Sequence, residues 1–138
     1  MPAKDIFHNA VRSALEKDGW TITHDPLSVK VDEIEFYVDL GAERILAAEK
    51  AGQKIAVEIK SFLGTSEISE FYIALGQTLT YRSALRRKFP DRVLYLAISE
   101  DIYQDFFIRP FIQEVIAEHR LKLLIFAPIT EEVLLWKE

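Results

Sequence analysis

The chain has 138 residues, 49% of them apolar and 28% charged, enough to bury a core within one domain without disulfides or a structural metal. It contains no cysteine, which excludes a disulfide framework and any thiolate zinc site and makes the cytoplasm the expected compartment. A formal net charge of −5 argues against a protein that coats nucleic acid through overall charge alone.

Residues 5–17 carry apolar side chains at helical spacing (Ile6, Phe7, Ala10, Val11, Ala14, Leu15) and stop near Gly19, predicting a first helix. Charge mixed into this amphipathic pattern leaves no apolar signal core and no membrane span, so no membrane partner is expected. "WTITH" reads as a short strand. After Pro26 and Leu27, "SVKVDEIEFYVDL" resumes β-rich composition up to Asp39. "RILAAEKAGQKIAVEIK" divides at Ala51-Gly52-Gln53 into the two arms of a hairpin, although Ala, Glu and Arg in the first arm also suit a helix. Thr65 or Ser66 can cap a long helix from about Glu67 to Arg87, with an apolar stripe of Ile68, Phe71, Tyr72, Leu75 and Leu79, ended by Pro90. "RVLYLAIS" is a buried-type strand, Ser99 opens a further helical stretch divided or bent at Pro110, and "LKLLIFAP" and "EVLLW" are the last strands. Trp20 and Trp136 are expected to pack at the ends of the sheet. No repeat or linker divides the chain, so residues 1–138 form one domain, an α/β arrangement around a mixed sheet.

Three features carry chemistry. In "KIAVEIKSF", Ile55, Val57 and Ile59 point to one side of the strand while Ala56, Glu58 and Lys60 point to the other, either as a solvated ion pair or as a catalytic Glu-x-Lys. Asp39 closes the preceding β-rich run. A direct pairing of that run with residues 54–60 would join two carboxylates and a lysine, a set suited to Mg²⁺ or Mn²⁺ with an activated water. Gln77 and Tyr81 lie four apart on the long helix, on a face roughly opposite the Ile68, Leu75 and Leu79 stripe. The third feature, "YRSALRRKFPDR", gathers Arg82, Arg86, Arg87, Lys88 and Arg92, either as the cationic end of a helix or as a phosphate contact. His8, His24 and His119 are scattered. No H-E-x-x-H, phosphate-binding glycine loop or G-x-S-x-G is present.

Asp39, Glu58-x-Lys60 and Gln77-x-x-x-Tyr81, in this order, resemble the PD-(D/E)xK nuclease superfamily. At closer range "KDGWTITHDPL", "DLGAERILAAEK", "GQKIAVEIKSFLG" and "ALGQTLTYR" resemble the XisH family of fdxN-element excision controlling factors over nearly the whole chain. The resemblance implies a restriction-endonuclease-like core, a mixed β-sheet flanked by helices. It also implies a metal held by Asp39 and Glu58 beside Lys60, with Gln77 and Tyr81 on the following helix. The biological role it implies is site-specific excision of a DNA element during cyanobacterial heterocyst differentiation, with the recombinase XisF and a second factor, XisI, as partners. Val38 stands where the motif has proline, Glu43 and Glu49 compete with Asp39 as first ligand, and His8 takes a position where many relatives have glutamate.

Two function classes follow: a Mg²⁺-dependent DNA endonuclease, or a binding module that keeps the fold and contacts DNA or the recombinase. "DFFIRPFIQEV", with Phe106, Phe107 and Phe111, either completes the core or forms an association surface for a homo-oligomer or the second factor.

Overall fold

The computed structural model describes residues 6–36 and 45–138. Its centre is a six-stranded mixed sheet ordered β1-β4-β5-β6-β7-β8, built from β1 (Thr21–His24), β4 (Ile45–Lys50), β5 (Gln53–Ile59), β6 (Arg92–Ser99), β7 (Leu123–Ala127) and β8 (Glu132–Lys137). The pairs β5–β6 and β6–β7 are parallel, and the outer pairs are antiparallel. Helix α1 (His8–Lys17) packs on the face that carries Ile55, Val57 and Ile59. Helices α2 (Glu67–Lys88) and α4 (Pro110–Glu118) cover the other face. The architecture is the expected α/β one and is consistent with a restriction-endonuclease-like core.

Local chemistry accounts for the elements. Lys50 pairs with Gln53 across a two-residue turn in which Ala51 (φ 50°) and Gly52 (φ 82°) are both left-handed, the geometry that matches strand twist in a tight hairpin. The first arm is therefore a strand, because cross-strand burial of Leu46, Ala47 and Ala48 outweighs the helical preference of its residues. Ser66 caps α2, its side chain accepting from the Ser69 N–H, and Glu67 and Glu70 sit favourably in the first turn. Pro110 occupies the start of α4, where its missing N–H costs nothing, so it divides rather than bends the helical stretch. Before it, a single turn α3 (Glu100–Ile102), capped by Ser99, runs into a π-helical segment, Tyr103–Phe107.

The run "SVKVDEIEFYVDL" differs from expectation. Val29–Val31 (β2) and Ile34–Phe36 (β3) pair with each other as a separate two-stranded sheet, reversed at Asp32 (φ 51°) and Glu33 (φ 67°). A hairpin turn without glycine leaves no punctuation in the sequence, so the two short strands read as one. Leu27, Val29 and Val31 pack with Tyr81, Ala84 and Leu85 of α2, which holds this hairpin on the helix.

Phe106 and Phe107 complete the core, forming with Phe62 and Phe71 a group of rings 5.3–6.5 Å apart. Phe111, at 68% exposure, does not join them. Trp20 and Trp136 meet with ring centroids 5.6 Å apart, and Tyr95 lies edge-on to Trp136 at 4.9 Å.

Two outcomes follow. Ala51 pays for a left-handed backbone with a β-carbon, so Ala51→Asn, giving Asn-Gly at the turn, should stabilise the fold by about 0.5–1 kcal/mol in urea unfolding. A lowered unfolding midpoint would contradict the turn assignment. Burial, reinforced by a hydrogen bond to Glu138, pushes the Tyr95 phenol up to about 12. The fold favours the neutral phenol, so this contribution is complete below the unfolded value near 10 and is lost as pH rises from 10 to about 12. Tyr95→Phe should therefore lose less stability than the parent protein across that window.

Candidate active site

Strand β5 is the third of six, and from Ile55 onward it is covered on both sides, so Glu58 has no solvated face to occupy. Glu58 is 0% and Lys60 2% exposed, which removes the solvated ion-pair reading of "KIAVEIKSF". Pairing extends one residue past the strand, the Lys60 N–H donating to the Ala97 carbonyl at 3.1 Å, and this keeps Lys60 on the same side as Glu58 and Ala56. Both residues lie toward the carboxyl end of β5 beside parallel β6, the end of an α/β sheet at which ligands commonly bind. Two residues beyond Lys60 the chain turns through Phe62 at φ 55°, a left-handed conformation unusual for a bulky residue.

Helix α2 returns over this strand from β5 to β6. Thr78 donates its hydroxyl hydrogen to Glu58 Oε1 at 3.1 Å, and Tyr81 packs in the same cluster as Ala56, two residues earlier on the strand. The helix therefore runs opposite to β5, with Thr78 above Glu58 and Tyr81 above Ala56. Thr78 was not singled out in the sequence, although a threonine at helical spacing among Phe71, Ala74, Tyr81 and Leu85 is the available signal, a hydroxyl on the buried face.

The buried arc of α2 is Phe71, Ala74, Thr78, Tyr81, Ala84 and Leu85. Tyr81, at 6% exposure, is thus a core residue, not one facing away from the core. Tyr72 and Ile68 are exposed, while Leu75 and Leu79 are half-buried at one edge of the arc and Gln77 at the other. The expectation failed because apolar residues nearly surround this helix, and its contact is centred on small Ala74 and Thr78 between the two edges. Gln77 Oε1 is buried and accepts no hydrogen bond from the described residues.

Strand β4, not the run ending at Asp39, neighbours β5, and Ile45 stands opposite Glu58. Asp39 and Glu43 lie outside the described residues, as does Val38. Glu49 sits at the far end of β4, opposite Lys54, with Oε1 3.5 Å from Arg92 Nη2, so it does not share the Glu58 end. Among the described residues no three His, Asp or Glu side chains cluster as a metal site. The Glu58 carboxylate is a hard oxygen donor of the kind Mg²⁺ and Mn²⁺ take, and a second carboxylate would have to come from elsewhere in the chain. His8 is buried against a different partner, its Nε2 2.8 Å from Asp25 Oδ2, which also accepts from Arg12 Nη1 at 2.7 Å. That carboxylate ties α1 to the loop after β1.

Among solved structures, an XisH family protein from Nostoc punctiforme PCC 73102 matches with a TM-score of 0.90 and 48% identity, over 97% of this chain and 100% of that one. An fdxN element excision controlling factor protein from Anabaena variabilis matches with a TM-score of 0.88 and 47% identity, over 96% of this chain and 98% of that one. No curated protein matches the chain. The model of the XisH protein family matches residues 1–134, and the chain belongs to the XisH family.

Proposed function

We propose that this protein controls site-specific excision of a DNA element and does so through a PD-(D/E)xK nuclease-like centre that cleaves phosphodiesters with Mg²⁺ or Mn²⁺. The observation that carries this reading is the Glu58-x-Lys60 pair sealed beneath α2 at the carboxyl end of a central strand, since ionisable groups are rarely buried there without a task. The Anabaena variabilis relative supplies the biological direction, being an fdxN element excision controlling factor. DNA is the proposed substrate, XisF and XisI the proposed partners, and the cytoplasm the proposed compartment. No helix among the described residues is long and apolar enough to cross a membrane.

In this reading Glu58 would hold the ion, with Asp39 as the second carboxylate. A bound Mg²⁺ or Mn²⁺ supplies Lewis-acid stabilisation of the phosphoryl oxygens and acidifies a water. Lys60 orients the attacking water and offsets the negative charge developing on the phosphate. Thr78 fixes the Glu58 carboxylate through its hydrogen bond. Tyr81 wedges α2 against β5 and Gln77 offers its amide oxygen at the helix edge.

A specific observation also favours the second reading, a binding module without cleavage: Glu58 and Lys60 are closed to solvent, so a phosphodiester reaches them only if the cover opens.

Glu58→Ala should abolish Mg²⁺ and Mn²⁺ binding in isothermal titration. Lys60→Ala should leave binding nearly intact and lower cleavage of duplex, flapped or branched DNA by about 10²-fold or more. Metal binding by the parent protein with no cleavage of any substrate would move the assignment to the binding module, and no metal binding at all would end the nuclease reading. Thr78→Val keeps the side-chain shape and removes one hydrogen bond to a buried carboxylate. It should cost about 1–3 kcal/mol in unfolding and weaken metal affinity by about tenfold. Unchanged affinity with a destabilised fold would make Thr78 a packing residue only.

A further inference from the structure

A second polar feature lies at the opposite end of the sheet from Lys60. Between the carboxyl-terminal half of α2 and the starts of β6 and β7 is a cleft of about 330 Å³, lined by Arg82, Arg86, Val93, Leu94, Arg120 and Lys122. Val93 and Ser99 are six residues apart on β6, so the cleft is roughly 20 Å from the carboxyl end of the parallel strands. Among the described residues four cations and no carboxylate line it, in a chain whose net charge is −5.

The partners of the arginines separate this group from the rest. Arg12 pairs with Asp25, Arg87 with Asp32 and Arg92 with Glu49, while Arg109 lies over the Phe106 ring. Among the described residues, Arg82, Arg86 and Arg120 pair with no carboxylate, and Lys122 reaches only Glu138 at 3.7 Å. Arg82 is fixed in place: its Nη1 donates to the carbonyls of His119 at 2.7 Å and Arg120 at 3.1 Å. That clamp joins α2 to the turn after α4 and brings Arg120, whose backbone is left-handed at φ 53°, to the same cleft. Burial and the neighbouring charges of Arg86 and Arg120 draw the Arg82 guanidinium below its ordinary value, the direction expected of cations gathered without a counter-charge.

We propose that this cleft binds the phosphates of a nucleic-acid strand. Guanidinium forks match phosphate oxygens in bidentate fashion, and three of them, drawn from α2 and the turn after α4 with Arg82 held by its backbone clamp, converge on one cleft as a lone surface lysine does not. An acidic protein can contact a polyanion only where positive charge is concentrated locally, and this cleft is such a place. The inference rests on the proposed DNA partner but not on any chemistry at Glu58. The helical end "YRSALRRKFPDR" thus divides, with Arg87 and Arg92 serving ion pairs within the fold and Arg82 and Arg86 facing the cleft.

The test uses the full chain and a short fluorescently labelled DNA duplex, followed by anisotropy from about 50 to about 200 mM salt. Arg86→Glu/Arg120→Glu changes two exposed side chains, and Lys17→Glu/Lys30→Glu makes the same charge change elsewhere; circular dichroism checks that both fold. The cleft variant should bind at least tenfold more weakly, with the slope of log affinity against log salt reduced by about 2, while the control shifts by less than about threefold. Equal weakening in both variants would overturn the proposal, as would a cleft variant that binds like the parent. Titration with inorganic phosphate distinguishes a small-anion site: phosphate binding lost in the cleft variant with DNA binding unchanged also overturns the assignment. A parent protein that binds no DNA would instead remove the DNA partner itself, whereas DNA binding indifferent to the cleft removes only the cleft.

Discussion

Glu58 and Lys60 stand on the same side of β5 beneath α2, both withdrawn from solvent. Taking ionisable groups out of water costs several kcal/mol each after relaxation, unless partners and hydrogen bonds offset it. The surrounding structure answers to that constraint. β5 must be central, so that both sides are covered. α2 must cross above Glu58 with a hydroxyl and not a methyl at the point of contact, which is where Thr78 stands. The return from β5 to α2 must be held tightly enough to keep Lys60 covered. Phe62 turns the chain there in a left-handed conformation, packed against the rings of Phe106 and Phe107. A conformation of that kind costs of order 1–3 kcal/mol and persists only where packing over-determines it, and here it lies two residues from Lys60. The π-helical turn that delivers Phe106 and Phe107 belongs to the same arrangement.

Much of the fold was legible because local signals agreed with tertiary demands. Ser66 and the acids after it mark the start of α2, Pro110 marks α4, and Ala51-Gly52 marks the hairpin. The apolar character of "RVLYLAIS" marks a central strand, and Leu96 is fully buried. What could not be read is physically instructive. Alternation in "KIAVEIK" is the same whether Glu58 faces water or a helix, because a two-residue period reports sides and not what covers them. The burial of Tyr81 is not legible because α2 is apolar around most of its circumference, so periodicity does not single out the buried arc. The β2–β3 reversal leaves no mark in the sequence because Asp32 and Glu33 take left-handed conformations without glycine to announce them. Of the candidate site, Glu58 and Lys60 are placed on one side of one strand and Tyr81 on the helix above it, while Asp39 lies outside the described residues.

The two polar regions differ in kind, and the difference bears on the proposed role with DNA. Beneath α2 Glu58 and Lys60 are sealed from water, an environment that strengthens electrostatics at short range but admits a ligand only on opening. In the far cleft three arginines have no acidic partner among the described residues, so their field reaches solvent and acts before contact. One region suits chemistry or a conformational switch, and the other suits capture. Helix α2 joins them, with Thr78 on Glu58 and Arg82 clamped to the turn after α4. Any displacement of α2 that uncovers Glu58 must therefore also be accommodated at the Arg82 clamp.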